Sequence, residues 1–133
     1  MKPKFETVGQ IRKGNTHIAY ENQSAFDIAM ELLGSHYTGM PVLDKEDRVI
    51  GVVTIQDLIR ALPGARKLEE IRVGEIMTRS PLVIDDDTPL EKAGQMLVDG
   101  TLPRLCVVHK GKLLGTITGH DLLRAWIGLP PAM

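Results

Sequence analysis

This chain predicts an α/β fold of two pseudo-symmetric repeats, each a small three-stranded sheet with two helices, packed sheet against sheet. Three observations lead there. The stretch G-V-V-T-I-Q-D at 51–57 returns as G-T-I-T-G-H-D at 115–121, so that Gly51, Thr54 and Asp57 recur as Gly115, Thr118 and Asp121 at one constant offset. Each copy opens an apolar stretch, D-L-I-R-A-L at 57–62 and D-L-L-R-A-W at 121–126. Upstream, V-G-Q-I at 8–11 parallels V-G-E-I at 73–76. One such repeat cannot bury both faces of its sheet, so packing two sheets together is the natural solution.

In the first repeat, Ser24 and Asp27 form a capping box that starts a helix, and Gly34 stops it. M-P-V-L at 40–43 reads as a strand, D-K-E-D at 44–47 as the turn, and Val49 to Thr54 as the returning strand. A second helix is expected from about Gln56 to Leu62, stopped by Pro63-Gly64. The charged stretch at 65–72 reads as a linker. In the second repeat, Ser80 to Ile84 is extended. Thr88, Pro89 and Glu91 then supply an N-cap, a first helical residue and a capping-box partner. Ala93, Met96 and Leu97 lie at helical spacing, and Gly100 is the expected stop. Leu105–Val108 and Leu113–Thr118 form a hairpin around Gly111, and Asp121–Ile127 is the last helix.

Composition narrows the function. With 133 residues and 43% apolar content the chain can build a real core. A net charge of -1 leaves no electrostatic footprint for nucleic acid, and 4% aromatics leave few stacking platforms. No apolar run approaches the roughly 20 residues of a membrane span, and the N-terminus lacks a signal peptide's apolar stretch. The lone Cys106 cannot form an internal disulfide, so a reducing cytoplasm is the expected compartment.

With both repeats laid out, the chain resembles a pair of CBS domains, the cystathionine β-synthase type, also called a Bateman module. The resemblance covers about residues 5–127. It rests on the two G-h-h-T-x-x-D endings (h is an apolar residue or Thr), on G-M-P-V-L-D at 39–44 and on I-M-T-R-S-P at 76–81. It assigns 5–64 to CBS repeat 1, 65–72 to a linker and 73–128 to CBS repeat 2. It also implies a stand-alone regulatory module that binds an adenine nucleotide (AMP, ADP or ATP) in clefts between the repeats, forms a homodimer and modulates an unidentified partner protein. Alternative readings are another adenosyl ligand, such as S-adenosylmethionine or a cyclic dinucleotide, or a structural dimerisation module without ligand. No cofactor, nucleic acid or membrane is implied.

The resemblance also implies site residues. The Asp of each T-x-x-D would accept hydrogen bonds from both ribose hydroxyls, with the Thr hydroxyl and nearby N–H groups close to phosphate. One cleft would join Thr54 and Asp57 to Thr78, Ser80, Pro81 and Leu82. The other would join Thr118 and Asp121 to Asn15, Thr16, His17 and Ile18. Arg104 matches a phosphate-contacting position where the first copy has Gly39, so the two clefts are expected to be unequal. His120 adjoins Asp121 and is a further phosphate candidate. Against these roles stands a plainer one: T-x-x-D is itself a capping box, and Ser24 and Thr88 begin two more.

No catalysis is expected. A P-loop G-x-x-x-x-G-K-[S/T] motif is missing, and no nucleophile–base set has a recognisable context. His17, His36, His109 and His120 lack metal-ligand spacing, and Asp85 to Asp87 suit a helix start. Cys106 reads as core. Leu58, Leu62, Leu122, Leu123 and Trp126 are apolar helical positions expected to form the dimer contact.

Overall fold

The computed structural model describes residues 5–11, 17–79, 83–100 and 104–129, apart from the side chains of Gly100 and Arg104. The chain divides into two compact units, His17–Pro81 and Met1–Thr16 with Leu82–Met133. Each holds one three-stranded sheet.

The first unit runs β1 (Ala19–Tyr20), α1 (Ala25–Leu33), β2 (Gly39–Leu43), β3 (Val49–Thr54) and α2 (Ile55–Ala61). Parallel β1–β2 pairing requires a crossover, which α1 supplies. Strands β2 and β3 pair antiparallel, with a register shift at Val42/Leu43. Their turn is held by Asp44, whose Oδ1 accepts from the N–H groups of Glu46 and Arg48 at 2.8 and 3.0 Å. Ser24 caps α1 by accepting from the Asp27 N–H at 3.0 Å. Ala25, Ile28 and Leu32 turn inward from α1 against Met40, Val42, Val53 and Leu58.

The remaining unit repeats this order. After α3 (Val73–Ile76), which belongs to the first unit, it runs β4 (Val83–Asp85), α4 (Leu90–Gly100), β5 (Arg104–His109), β6 (Lys112–Thr118) and α5 (Gly119–Ile127). Its register shift falls at the equivalent Val107/Val108. Lys110 (φ 51) and Gly111 (φ 80) make the hairpin turn. Two successive left-handed residues match the twist of a two-residue hairpin.

Each unit takes its opening segment from the other sequence repeat. Val8 and Gly9 donate their N–H groups to the carbonyls of Thr88 and Asp86, beside α4. Val73 and Gly74 do the same to Gln23 and Glu21, beside α1. Val8 and Ile11 therefore lie in the core of Leu90, Leu105 and Ile117, while Ile71, Val73 and Met77 lie in that of Ile28 and Met40. Gly9 permits the docking, because a Cβ there would sit 2.7 Å from the Asp86 carbonyl oxygen. The stretch read as a linker takes part: Leu68–Glu70 is a 3-10 turn and Ile71 is buried.

Some boundaries differ from the sequence reading. Helix α4 begins at Leu90 rather than Pro89, because Pro89 pairs with Thr7 and the Thr88 N–H turns back to the Asp85 carbonyl. Asp85 closes β4 and does not start the helix. Helix α5 begins at Gly119, directly after its Thr118 cap.

Candidate functional site

Each T-x-x-D lies where the last strand of a sheet passes into a helix. In the first unit, Thr54 has extended backbone and caps α2. Its Oγ1 accepts from the Asp57 N–H at 3.2 Å and donates to Asp57 Oδ2 at 3.0 Å. The Thr54 N–H donates to the same Oδ2 at 2.9 Å. The other oxygen, Oδ1, accepts from Arg60 Nη1 at 2.8 Å and from Thr78 Oγ1 at 3.4 Å. Asp57 is buried, with 4% of its surface exposed.

Thr78 reaches this carboxylate because its segment is stitched to β3. Val52 and Thr78 exchange both backbone N–H···O bonds at 2.8 Å. Gly51 leaves room for that approach, since a Cβ there would lie 2.7 Å from both Met77 Sδ and the Thr78 carbonyl oxygen. The glycine of the repeated motif therefore serves packing at this copy.

In the second unit, Thr118 caps α5 in the same way. Its Oγ1 accepts from the Asp121 N–H at 3.1 Å, and its N–H donates to Asp121 Oδ2 at 2.9 Å. Asp121 is only half-buried, and among the described residues its Oδ1 accepts no hydrogen bond corresponding to those of Arg60 and Thr78. His120 is exposed on the first turn of α5. Strand pairing sets Arg104 opposite Thr118 as it sets Gly39 opposite Thr54. At Gly39 a Cβ would approach the Val53 carbonyl oxygen to 3.0 Å, which leaves little room for a longer residue.

The structure thus joins Thr54, Asp57 and Thr78 in one unit and Thr118, His120 and Asp121 in the other. Asn15, Thr16, Ser80, Pro81 and Leu82 lie outside the described residues. His17 and Ile18 belong to the first unit. There His17 Nδ1 lies 2.7 Å from Glu31 Oε1, and its ring meets Tyr37 edge-on. Arg60 was missed by sequence reasoning, although its place three residues after Asp57 on a helix is a readable signal for an ion pair. Among the described residues no cluster of three metal-ligating side chains forms.

Two of the expected dimer positions are core. Leu58 and Leu122 are buried against their own sheets. They form the floors of two apolar grooves, one along α1 and α2 and one along α4 and α5. The exposed walls include Leu33, Ile59 and Leu62 in the first groove and Val98 and Leu123 in the second. Trp126 is half-buried in the second wall. Among the described residues no helix is long and apolar enough to cross a membrane.

The CBS domain family model matches this chain twice, at residues 8–64 and 73–128. The chain belongs to the CBS domain family. It is a tandem CBS pair. Similar relatives include the chloroplastic CBS domain-containing protein CBSX1 of Arabidopsis thaliana, 30% identical over 90% of this chain and 63% of that protein. The structure of CBSX2 in complex with AMP is 34% identical, covers 93% of this chain and 98% of that chain, and superposes with a TM-score of 0.78. The CBS domains of a transcriptional regulator from Streptococcus pneumoniae share the fold at 21% identity, with 89% of this chain and 97% of that chain covered and a TM-score of 0.74. The CBS pair spans 26% to 63% of the length of the first curated relatives it matches.

Proposed function

We propose that this CBS pair is a regulatory sensor that binds an adenine nucleotide and modulates a partner protein. The observation that carries the reading is the Asp121 carboxylate. Its Oδ2 is fixed by the Thr118 N–H, and its Oδ1 has no such holder among the described residues. A carboxylate oriented in this way is an acceptor pair suited to vicinal ribose hydroxyls. CBSX2, a 34% identical relative, has been crystallised with AMP, which supports the same ligand class here. Arg104, opposite Thr118 in the sheet, is assigned to the phosphate of that ligand.

The test is a thermal-shift panel of AMP, ADP, ATP, GTP, 2′-deoxy-AMP and S-adenosylmethionine. Adenine ribonucleotides should raise the melting temperature and GTP should do less. Saturation at ~100 times the dissociation constant corresponds to about 2.7 kcal/mol of stabilisation. Equal shifts for AMP and its deoxy analogue would remove the ribose hook. Arg104→Ala should weaken AMP far more than adenosine.

The two apolar grooves are assigned to a second copy of the chain. They carry apolar residues at equivalent places in both units, with Ile59 matching Leu123 and Leu62 matching Trp126. A contact repeated in both halves of the chain suits two-fold association of like surfaces. Light scattering should show a dimer at micromolar concentration. Ile59→Glu with Leu123→Glu should give a folded monomer.

A further inference from the structure

We propose that Arg60 is a latch on the first of the two ribose hooks, so that a ligand gains Asp57 only by displacing this guanidinium. The inference rests on the nucleotide-binding reading above and names what controls one of its sites. A carboxylate offers about four lone-pair positions. At Asp57 four donors take them: the Thr54 N–H and Oγ1 on Oδ2, and Arg60 Nη1 and Thr78 Oγ1 on Oδ1. With the carboxylate buried, ribose hydroxyls find no acceptor until a donor leaves. The Thr54 N–H is fixed by the backbone. Of the two donors on Oδ1, the Thr78 hydroxyl holds loosely at 3.4 Å and the Arg60 guanidinium closely at 2.8 Å. Arg60 is therefore the one whose release frees the acceptor, and with 72% of its side chain exposed water can solvate the released charge. The matching oxygen of Asp121 has no such donor among the described residues.

The latch separates the two sites in a measurable way. The full chain carrying Asp121→Asn isolates the Asp57 site, and Asn at 121 can still accept from the Thr118 N–H. Calorimetry with adenosine, an uncharged probe, then compares this variant with one that also carries Arg60→Gln. Exposed ion pairs contribute up to about 1 kcal/mol, so opening the latch should tighten adenosine by up to about fivefold. Salt supplies a second readout that a purely structural role would not move. Between about 0.01 M and 1 M salt the Debye length falls from about 30 to 3 Å. Screening should tighten adenosine binding more steeply with Arg60 present than with Gln. If adenosine binds equally well to both and their salt slopes coincide, Arg60 is not a latch. Weaker binding in Arg60→Gln would make Arg60 a ligand contact and also overturn the latch. If the unsubstituted chain binds neither AMP nor adenosine, the nucleotide reading falls and the latch with it.

Discussion

The turns at Thr54–Asp57 and Thr118–Asp121 share a sequence pattern, a place in the sheet and a capping geometry, yet they present different chemistry. Asp57 is buried and gives both oxygens to its own chain. Asp121 is half-buried and, among the described residues, gives one to the Thr118 backbone. The difference is not in the motif, since Arg60 and Arg124 both stand three residues after the Asp. Among the described residues it comes from the neighbours: Arg60 and Thr78 reach the Asp57 carboxylate, and Gly51 leaves room for the Thr78 segment. A repeated motif thus fixes where a carboxylate sits, while the surroundings decide whether it is free to bind.

The largest effects should come from breaking the packing that closes the first turn. Gly51→Ala places a methyl 2.7 Å from the Thr78 carbonyl oxygen and Met77 Sδ. Overpacking of this kind costs about 1–3 kcal/mol, and denaturant melts should show it. Gly119→Ala, at the start of α5, meets nothing within 4 Å. It should be neutral or stabilise by up to about 1 kcal/mol.

Removing the carboxylates sharpens the same contrast. Asp57→Ala strips acceptors from Thr54, Arg60 and Thr78 together and should cost about 1–3 kcal/mol, the usual range for orphaning buried polar groups. Asp121→Ala leaves a half-exposed cap and should cost closer to about 1 kcal/mol. Calorimetric melts of the two variants, measured without ligand, check the order.

A smaller effect belongs to the exchanged segment beside the first turn. Hydrogen bonds from the Arg66 guanidinium, joined by the Arg72 N–H, hold the Glu75 carboxyl at about 2, below its ordinary 4.5. A depressed folded-state value means its stabilisation is present above about 4.5 and is lost as pH falls toward 2. The pair is exposed, so the loss should be slight, and Glu75→Gln should flatten the stability profile over that window in urea titrations.

Much of this was legible in the residues. The order strand, helix, strand, strand, helix followed from alternation, caps and turn residues, and both T-x-x-D caps formed as read. What sequence hid was non-local. V-G-Q-I and V-G-E-I look like the openings of their own repeats, but each docks on elements of the other repeat, where Val8 and Val73 find an apolar core and carbonyls to receive their N–H groups. Leu58 and Leu122 looked spare because helical periodicity does not say which of two apolar stripes faces the sheet. Helix α4 started late because the pairing of Pro89 with Thr7 spans most of the chain. Thr78 was set beside Thr54 and Asp57 only by the family resemblance, since no local pattern announces its contact with the Asp57 carboxylate.

The inequality of the two turns is tested most directly by calorimetry of AMP on Asp57→Asn and Asp121→Asn, each in the full chain. With Asp121 open and Asp57 latched, Asp121→Asn should abolish the tighter binding event, and Asp57→Asn should leave it nearly unchanged. Loss of the tight event in Asp57→Asn, with Asp121→Asn binding AMP as the unsubstituted chain does, would contradict the account.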